Sequence, residues 1–144
     1  MRKYAGRIVL GTAIAALAMS AGPQIMAHGD VTPQPVDTKD LPDIGEAWLE
    51  ANPYSGNARA IEIGSSAYAQ NCARCHGLQA ISGGIAPDLR YLELGAEGDA
   101  WFLERYRHGS SRDGKVYMPA FGDVLGQKAG WAIRAYLESQ HTEE

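Results

Sequence analysis

Two thiols and an imidazole stand within five residues, Cys72-Ala73-Arg74-Cys75-His76, in a chain that has no other cysteine. Cysteines at i and i+3 lie on the same side of a helical turn, so both sulfurs can form thioether bonds to the vinyl groups along one edge of a porphyrin. The histidine that follows is then placed under the iron, where its imidazole supplies the proximal nitrogen and begins to set the reduction potential. Other chemistries also use a Cys-x-x-Cys pair: a dithiol redox couple, half of a zinc site, or a structural disulfide. Zinc needs further ligands, and there is no third cysteine. A thioredoxin-like couple should open a helix after a buried strand, whereas the residues before Cys72 read as helical. Covalent attachment of haem c uses all three side chains; a disulfide is the main alternative.

A single histidine ligand leaves a sixth position on the iron, and its occupant decides between electron transfer and binding of small molecules. Of the four methionines, Met1, Met19 and Met26 fall in a leader segment, so Met118 is the one methionine beyond it. It lies in Val116-Tyr117-Met118-Pro119-Ala120-Phe121, 42 residues after His76. Pro119 stiffens that loop. A lone methionine is commonly a core gap-filler. With the haem motif upstream, Met118 is expected as the second axial ligand, whose thioether favours ferrous iron and a high potential. His28, His108 and His141 are the rival ligands, and each reads as a surface residue at a terminus or a helix end.

The first 27 residues have the form of an export signal. Arg2, Lys3 and Arg7 make a basic front, Ile8 to Met19 an apolar run too short to span a bilayer, and Ala27 a cleavage site, with Ala21 the alternative. Export suits the motif, because thioether bonds are indifferent to an oxidising compartment. Cleavage after Ala27 would leave 117 of the 144 residues, one small domain, and would move the net charge from −4 to −7. Most of that charge lies between His28 and Glu50, where six acids face Lys39 alone. Such a balance argues against nucleic acid and against an anionic membrane surface as partners. The expected organisation is therefore a leader over 1–27, an acidic arm with prolines over 28–57, and a folded domain over 58–144.

Within that domain the apolar spacing is helical. A helix is expected from Ala58 to Asn71, capped by Asn57, with Ile61, Gly64 and Tyr68 on its buried face. Gly64 permits close approach of a last helix over Gln127 to Ser139, whose matching face is Ile133, Tyr136 and Leu137 with Trp131 nearby. A middle helix capped by Gly98 or Asp99 should run to Gly109 and contribute Trp101, Phe102, Leu103 and Tyr106. The arm carries Pro33, Pro35, Pro42 and Pro53; it reads either as a solvated tail or as a packed strap, with a short helix near Ile44 to Ala51. Helices joined by long loops around one cofactor define an all-α fold.

With these residues in place, the stretch from about Asn57 to Gln140 resembles the class I monohaem c-type cytochromes, through Gly64-x-x-x-Tyr68, Asn71 to Gly77, Pro87-Asp88-Leu89 and Met118-Pro119. The resemblance implies that the carbonyl of Pro87 accepts a hydrogen bond from His76 and makes the ring a better donor to iron. Pro87 as a plain turn residue is the alternative. The segments His28 to Asp37, Gly77 to Ala86 and Trp131 to Leu137 resemble more narrowly the small cytochromes of Gram-negative bacteria that accept electrons from quinoprotein alcohol dehydrogenases.

That likeness implies a periplasmic, monomeric electron carrier with one covalent haem c and its iron. The expected donor is a dehydrogenase dependent on pyrroloquinoline quinone (PQQ), and the expected acceptor a terminal oxidase or another cytochrome. Arg74 and Arg90 are candidates to steer a partner or meet the haem propionates, and are equally explicable as surface arginines. The rival functions are a haem enzyme or gas sensor with a labile sixth ligand, and a fixed haem subunit of a dehydrogenase, which would need a large apolar interface.

Overall fold

The computed structural model describes residues 32–143, so the expected leader, His28 and the first arm residues lie outside it. Helix α1, Ala58–Asn71, starts where the Asn57 side chain accepts the Ala60 N–H at 3.1 Å. A single turn, α2, Ala73–His76, follows directly. Helix α3 spans Ala96–His108, strands β1 and β2 cover Ser110–Arg112 and Lys115–Met118, and α4 runs Gly122–Ser139. Among the described residues no helix is long and apolar enough to cross a membrane.

The core forms where α1 lies against α4. Ala60, Gly64, Ala67 and Tyr68 are buried on α1, and Trp131, Ala132, Ile133, Tyr136 and Leu137 on α4. A methyl group on Gly64 would sit 1.9 Å from the Ala132 carbonyl oxygen, so the two backbones touch and only hydrogen fits between them. Ile61, expected on the same face, is half-buried against this cluster.

Three elements after residue 58 differ from expectation. Helix α3 begins at Ala96 after Gly95, not at Gly98 or Asp99, which are buried inside its first turn. Asp99 is drawn inward because its carboxylate binds the fully buried Arg134, Oδ1 to Nε at 2.7 Å. Of the α3 aromatics, Phe102 and Tyr106 enter the core, while Trp101 stays partly exposed. Helix α4 gains a turn before Gln127, joined through Gly126 at φ 75°. The stretch before Pro119 is a hairpin and not a plain loop: Arg112 pairs with Lys115 across Asp113 and Gly114, both at positive φ. Asp-Gly is a strong two-residue hairpin turn, and it adds a small ribbon to an otherwise helical fold.

The described part of the arm packs on the core. Leu41 and Tyr54 are buried, the Tyr54 hydroxyl donates to Pro42 O at 2.6 Å, and Lys128 Nζ donates to Leu41 O at 2.9 Å. The helix expected near Ile44 to Ala51 does not form. The Gln127 side chain takes the carbonyls of Gly45 and Ala47 and the N–H of Leu49, groups a helix there would have used internally. Farther on, Asn52 N–H donates to Asp99 Oδ2 at 2.8 Å and Asn52 Nδ2 to Glu138 Oε1 at 2.9 Å, tying the arm to α3 and α4.

Replacing Gly64 with Val should force α1 away from α4 and cost about 3 kcal/mol. Chemical denaturation of the holoprotein checks it; stability equal to wild type would show that the helices separate freely at this point.

Candidate haem-binding site

Cys72 ends α1 and begins α2. Its N–H donates to Tyr68 O at 2.8 Å, and its carbonyl accepts from Cys75 N–H at 3.1 Å and His76 N–H at 3.0 Å. The chain reverses at Gly77, φ 82°, where an added methyl would lie 1.8 Å from Ile81 O. The Tyr68 hydroxyl closes the turn on Gly77 O at 2.9 Å. Both thiols and the imidazole therefore leave one tight corner at the end of α1.

His76 is buried, and its Nδ1 lies 2.9 Å from Pro87 O. A carbonyl can only accept, so Nδ1 carries the proton and Nε2 holds the lone pair, the tautomer that binds a metal. The loop that brings Pro87 there is pinned by Asp88, whose carboxylate accepts from Ser82 N–H at 3.1 Å and from Arg90 Nε at 3.0 Å and Nη2 at 2.9 Å. The Arg90 guanidinium holds the Asp88 carboxyl well below its ordinary value of 3.8, helped by the Ser82 and Arg90 backbone N–H groups and opposed by partial burial.

Cys72, Cys75, His76, Pro87 and Met118 all line one cavity of about 360 Å³. Its walls are mainly apolar, with Ile85, Ala86, Trp101, Pro119 and Phe121. Its size and lining suit a cofactor site. Two arginines outside the expected site, Arg105 and Arg112, also line it, together with Tyr117 next to Met118. Arg105 lies one helical turn after Trp101, its guanidinium 5.7 Å from that ring, and Arg112 is 6.0 Å from the Tyr117 ring. Spacing on α3 hinted at the first pair; the second depends on the Asp-Gly turn. Arg90, by contrast, is spent on Asp88 and does not line the cavity, and Arg74 is exposed outside it. His108 and His141 are not among the lining residues either.

The competing chemistries of the thiols fit this geometry poorly. Cys72 and Cys75 form no disulfide, and no group of three or more His, Cys, Asp or Glu among the described residues could hold a metal ion. Burial pushes the Cys72 thiol up to about 12, the opposite of what a dithiol redox couple needs. Two thiols, a metal-competent imidazole and a thioether around an apolar cavity do fit a haem attached covalently.

Comparison with known proteins agrees. Residues 59–137 match the family described as cytochrome c oxidase, cbb3-type, subunit III. Over 123 residues the chain is 61% identical to cytochrome c550 of Pseudomonas aeruginosa, covering 83% of this chain and 85% of that protein. The chain belongs to the monohaem c-type cytochromes. It carries covalently bound haem c with its iron, and it is an electron-transfer protein and not an enzyme. The fold is that of class I cytochromes; the crystal structure of cytochrome cL from the marine methylotroph Methylophaga aminisulfidivorans shares it at a TM-score of 0.53 and 20% identity, over 74% of each chain. A further match is to quinohemoprotein alcohol dehydrogenase ADH-IIG of Pseudomonas putida, 37% identical over 83 residues. It covers 58% of this cytochrome and only 11% of that dehydrogenase.

A group whose pKa is depressed in the folded state stabilises the protein above its unfolded value and loses that contribution as pH falls through the folded one. Asp88→Asn should therefore be less stable than wild type at pH 7, with the difference shrinking steadily below about pH 4. Urea midpoints across that range test it, and a pH-independent difference would remove the ion pair as its cause.

Proposed function

We propose that this cytochrome carries single electrons in the periplasm from a PQQ-dependent alcohol dehydrogenase to a terminal oxidase or another cytochrome, with His76 and Met118 as the axial ligands of its iron. The observation that carries the reading is the convergence of Cys72, Cys75, Met118 and a tautomer-fixed His76 on one apolar cavity. Haem c, when bound, supplies a one-electron ferric/ferrous couple.

The chain's own groups hold that couple in place. Cys72 and Cys75 anchor the ring through their sulfurs. His76 offers Nε2 while its Nδ1 proton stays on Pro87 O, which orients the imidazole and increases its basicity. The thioether of Met118, at the end of β2, favours the reduced metal. Arg105 and Arg112 bring positive charge to the cavity wall, where the propionates need it. Ligands retained through both states keep reorganisation small, and the apolar walls limit water.

Exchange with partners needs one accessible edge. Ile85, Tyr117 and Trp101 are exposed where they line the cavity, a small apolar rim suited to a weak, quickly released contact. The likeness to part of a quinohemoprotein alcohol dehydrogenase supports such an enzyme as donor. An export signal over residues 1–27 and the sequence relation to cytochrome c550 support the periplasm.

Met118→Ala should abolish the weak near-infrared band of sulfur-ligated ferric haem and lower the potential by about 0.2 V, part of the roughly 0.8 V range that axial ligands span. An unchanged spectrum and potential would clear Met118 of the role. Stopped-flow mixing with a reduced PQQ-dependent ethanol dehydrogenase should show rapid haem reduction, slowed by Tyr117→Asp at the rim. Reduction no faster than by a cytosolic dehydrogenase would remove the proposed donor.

A further inference from the structure

The Met118 segment is mechanically weak by itself, because it ends a two-stranded ribbon, and an isolated ribbon of that size is marginally stable. What supports it from behind begins in the arm. Gln127 is buried and spends its polar capacity on one arm segment: Nε2 donates to Gly45 O at 2.7 Å and Ala47 O at 2.9 Å, and Oε1 accepts from Leu49 N–H at 3.3 Å. An amide satisfied this way holds a loop in one conformation, since releasing it would leave buried polar atoms unpaired.

The segment so held presents Trp48 to α3. The Trp48 ring meets Tyr106 edge-on at 6.3 Å, and the Arg107 guanidinium lies 4.9 Å from its centre. Tyr106 stacks on Phe121 at 6.3 Å, accepts the Phe121 N–H on its carbonyl at 2.9 Å, and donates its hydroxyl to Gly126 O at 3.0 Å. Gly122, the next residue, abuts Arg107, whose Cα lies 3.0 Å from where a Cβ would be. Phe121 shares the cavity wall with Met118 and Pro119, whereas neither Trp48 nor Gln127 lines the cavity.

We propose that Gln127 and Trp48 are positioning residues through which the N-terminal arm clamps the Met118 loop, controlling how readily the sixth iron position opens to an added ligand. The inference rests on the assignment of Met118 as axial ligand. An entering ligand binds only while the loop is open, so its observed rate follows the population of that state.

The test uses the ferric holoprotein with imidazole as probe, following by stopped flow its displacement of the native ligand, alongside the near-infrared band and the thermal midpoint. Gln127→Ala and Trp48→Leu should each admit imidazole about tenfold faster, the scale expected for losing buried hydrogen bonds or aromatic packing, with the band still present at rest. Gln127→Glu, which sets a carboxylate oxygen against the Gly45 and Ala47 carbonyls in place of both donors, should admit imidazole at least as fast as Gln127→Ala. Ile133→Val, a core change outside the stack, should leave the rate unaltered. If Gln127→Ala does not fold, Trp48→Leu decides the matter. A lowered thermal midpoint with a wild-type imidazole rate in Trp48→Leu, or equal acceleration by Ile133→Val, overturns the clamp and leaves Met118 as ligand. A wild-type protein without the near-infrared band overturns the ligand assignment, and the clamp falls with it.

Discussion

Helices α1 and α4 meet backbone to backbone at Gly64 and Ala132, and the placement of the cofactor follows from that contact. Gly64 on α1 lets α4 approach until the Ala132 carbonyl oxygen fills the space a side-chain methyl would need, and Tyr68 and Tyr136 pack at 5.3 Å. Cys72 is the residue after the last of α1. The positions of both sulfurs and of the His76 imidazole are thus inherited from a rigid helix pair, which is the support a redox site needs if its geometry is to hold in both oxidation states.

The buried charge serves the same end between α3 and α4. Arg134 is fully enclosed, with Nε on Asp99 at 2.7 Å, Nη2 on Glu93 O at 2.6 Å, and Glu138 at 3.6 Å. Enclosing a guanidinium is costly unless its partners are fixed in place. Here they come from α3, the loop before it and α4 itself, while Asn52 of the arm bonds both carboxylates. One enclosed cation therefore ties together four segments: α3, the loop before it, α4 and the arm. It also explains why α3 begins early, since the carboxylate of Asp99 can reach Arg134 only from inside the helix.

How far each feature was readable depended on the range of the forces behind it. The Asn57 cap, the span of α1, the glycine contact at Gly64 and the attachment motif were legible because each is written in residues a few positions apart. Met118, the one methionine after the Cys72 to His76 motif, lines the same cavity. The Asp113-Gly114 hairpin is also written locally, in an Asp-Gly pair set within a pattern that is otherwise helical. Arg90 beside the Pro87 loop was a natural candidate for the propionates, yet Asp88, two residues away, takes its guanidinium. Arg105 and Arg112 reach the cavity instead, the first from one turn after Trp101 on α3 and the second through the Asp-Gly turn.

The amino-acid sequence by itself determined the chemistry: two sulfurs and a nitrogen at a spacing that suits one porphyrin edge, a lone thioether downstream, and helix faces small enough to pack closely. These depend on bond lengths and on the pitch of a helix, which act within a few residues. Only the tertiary structure decided which arginines face the cavity, that the arm is a strap and not a tail, and that Asp99 belongs inside. Those outcomes turn on burial, where a charge or an amide must find its partner wherever the folded chain places one, and the partner of Gln127 stands some eighty residues away.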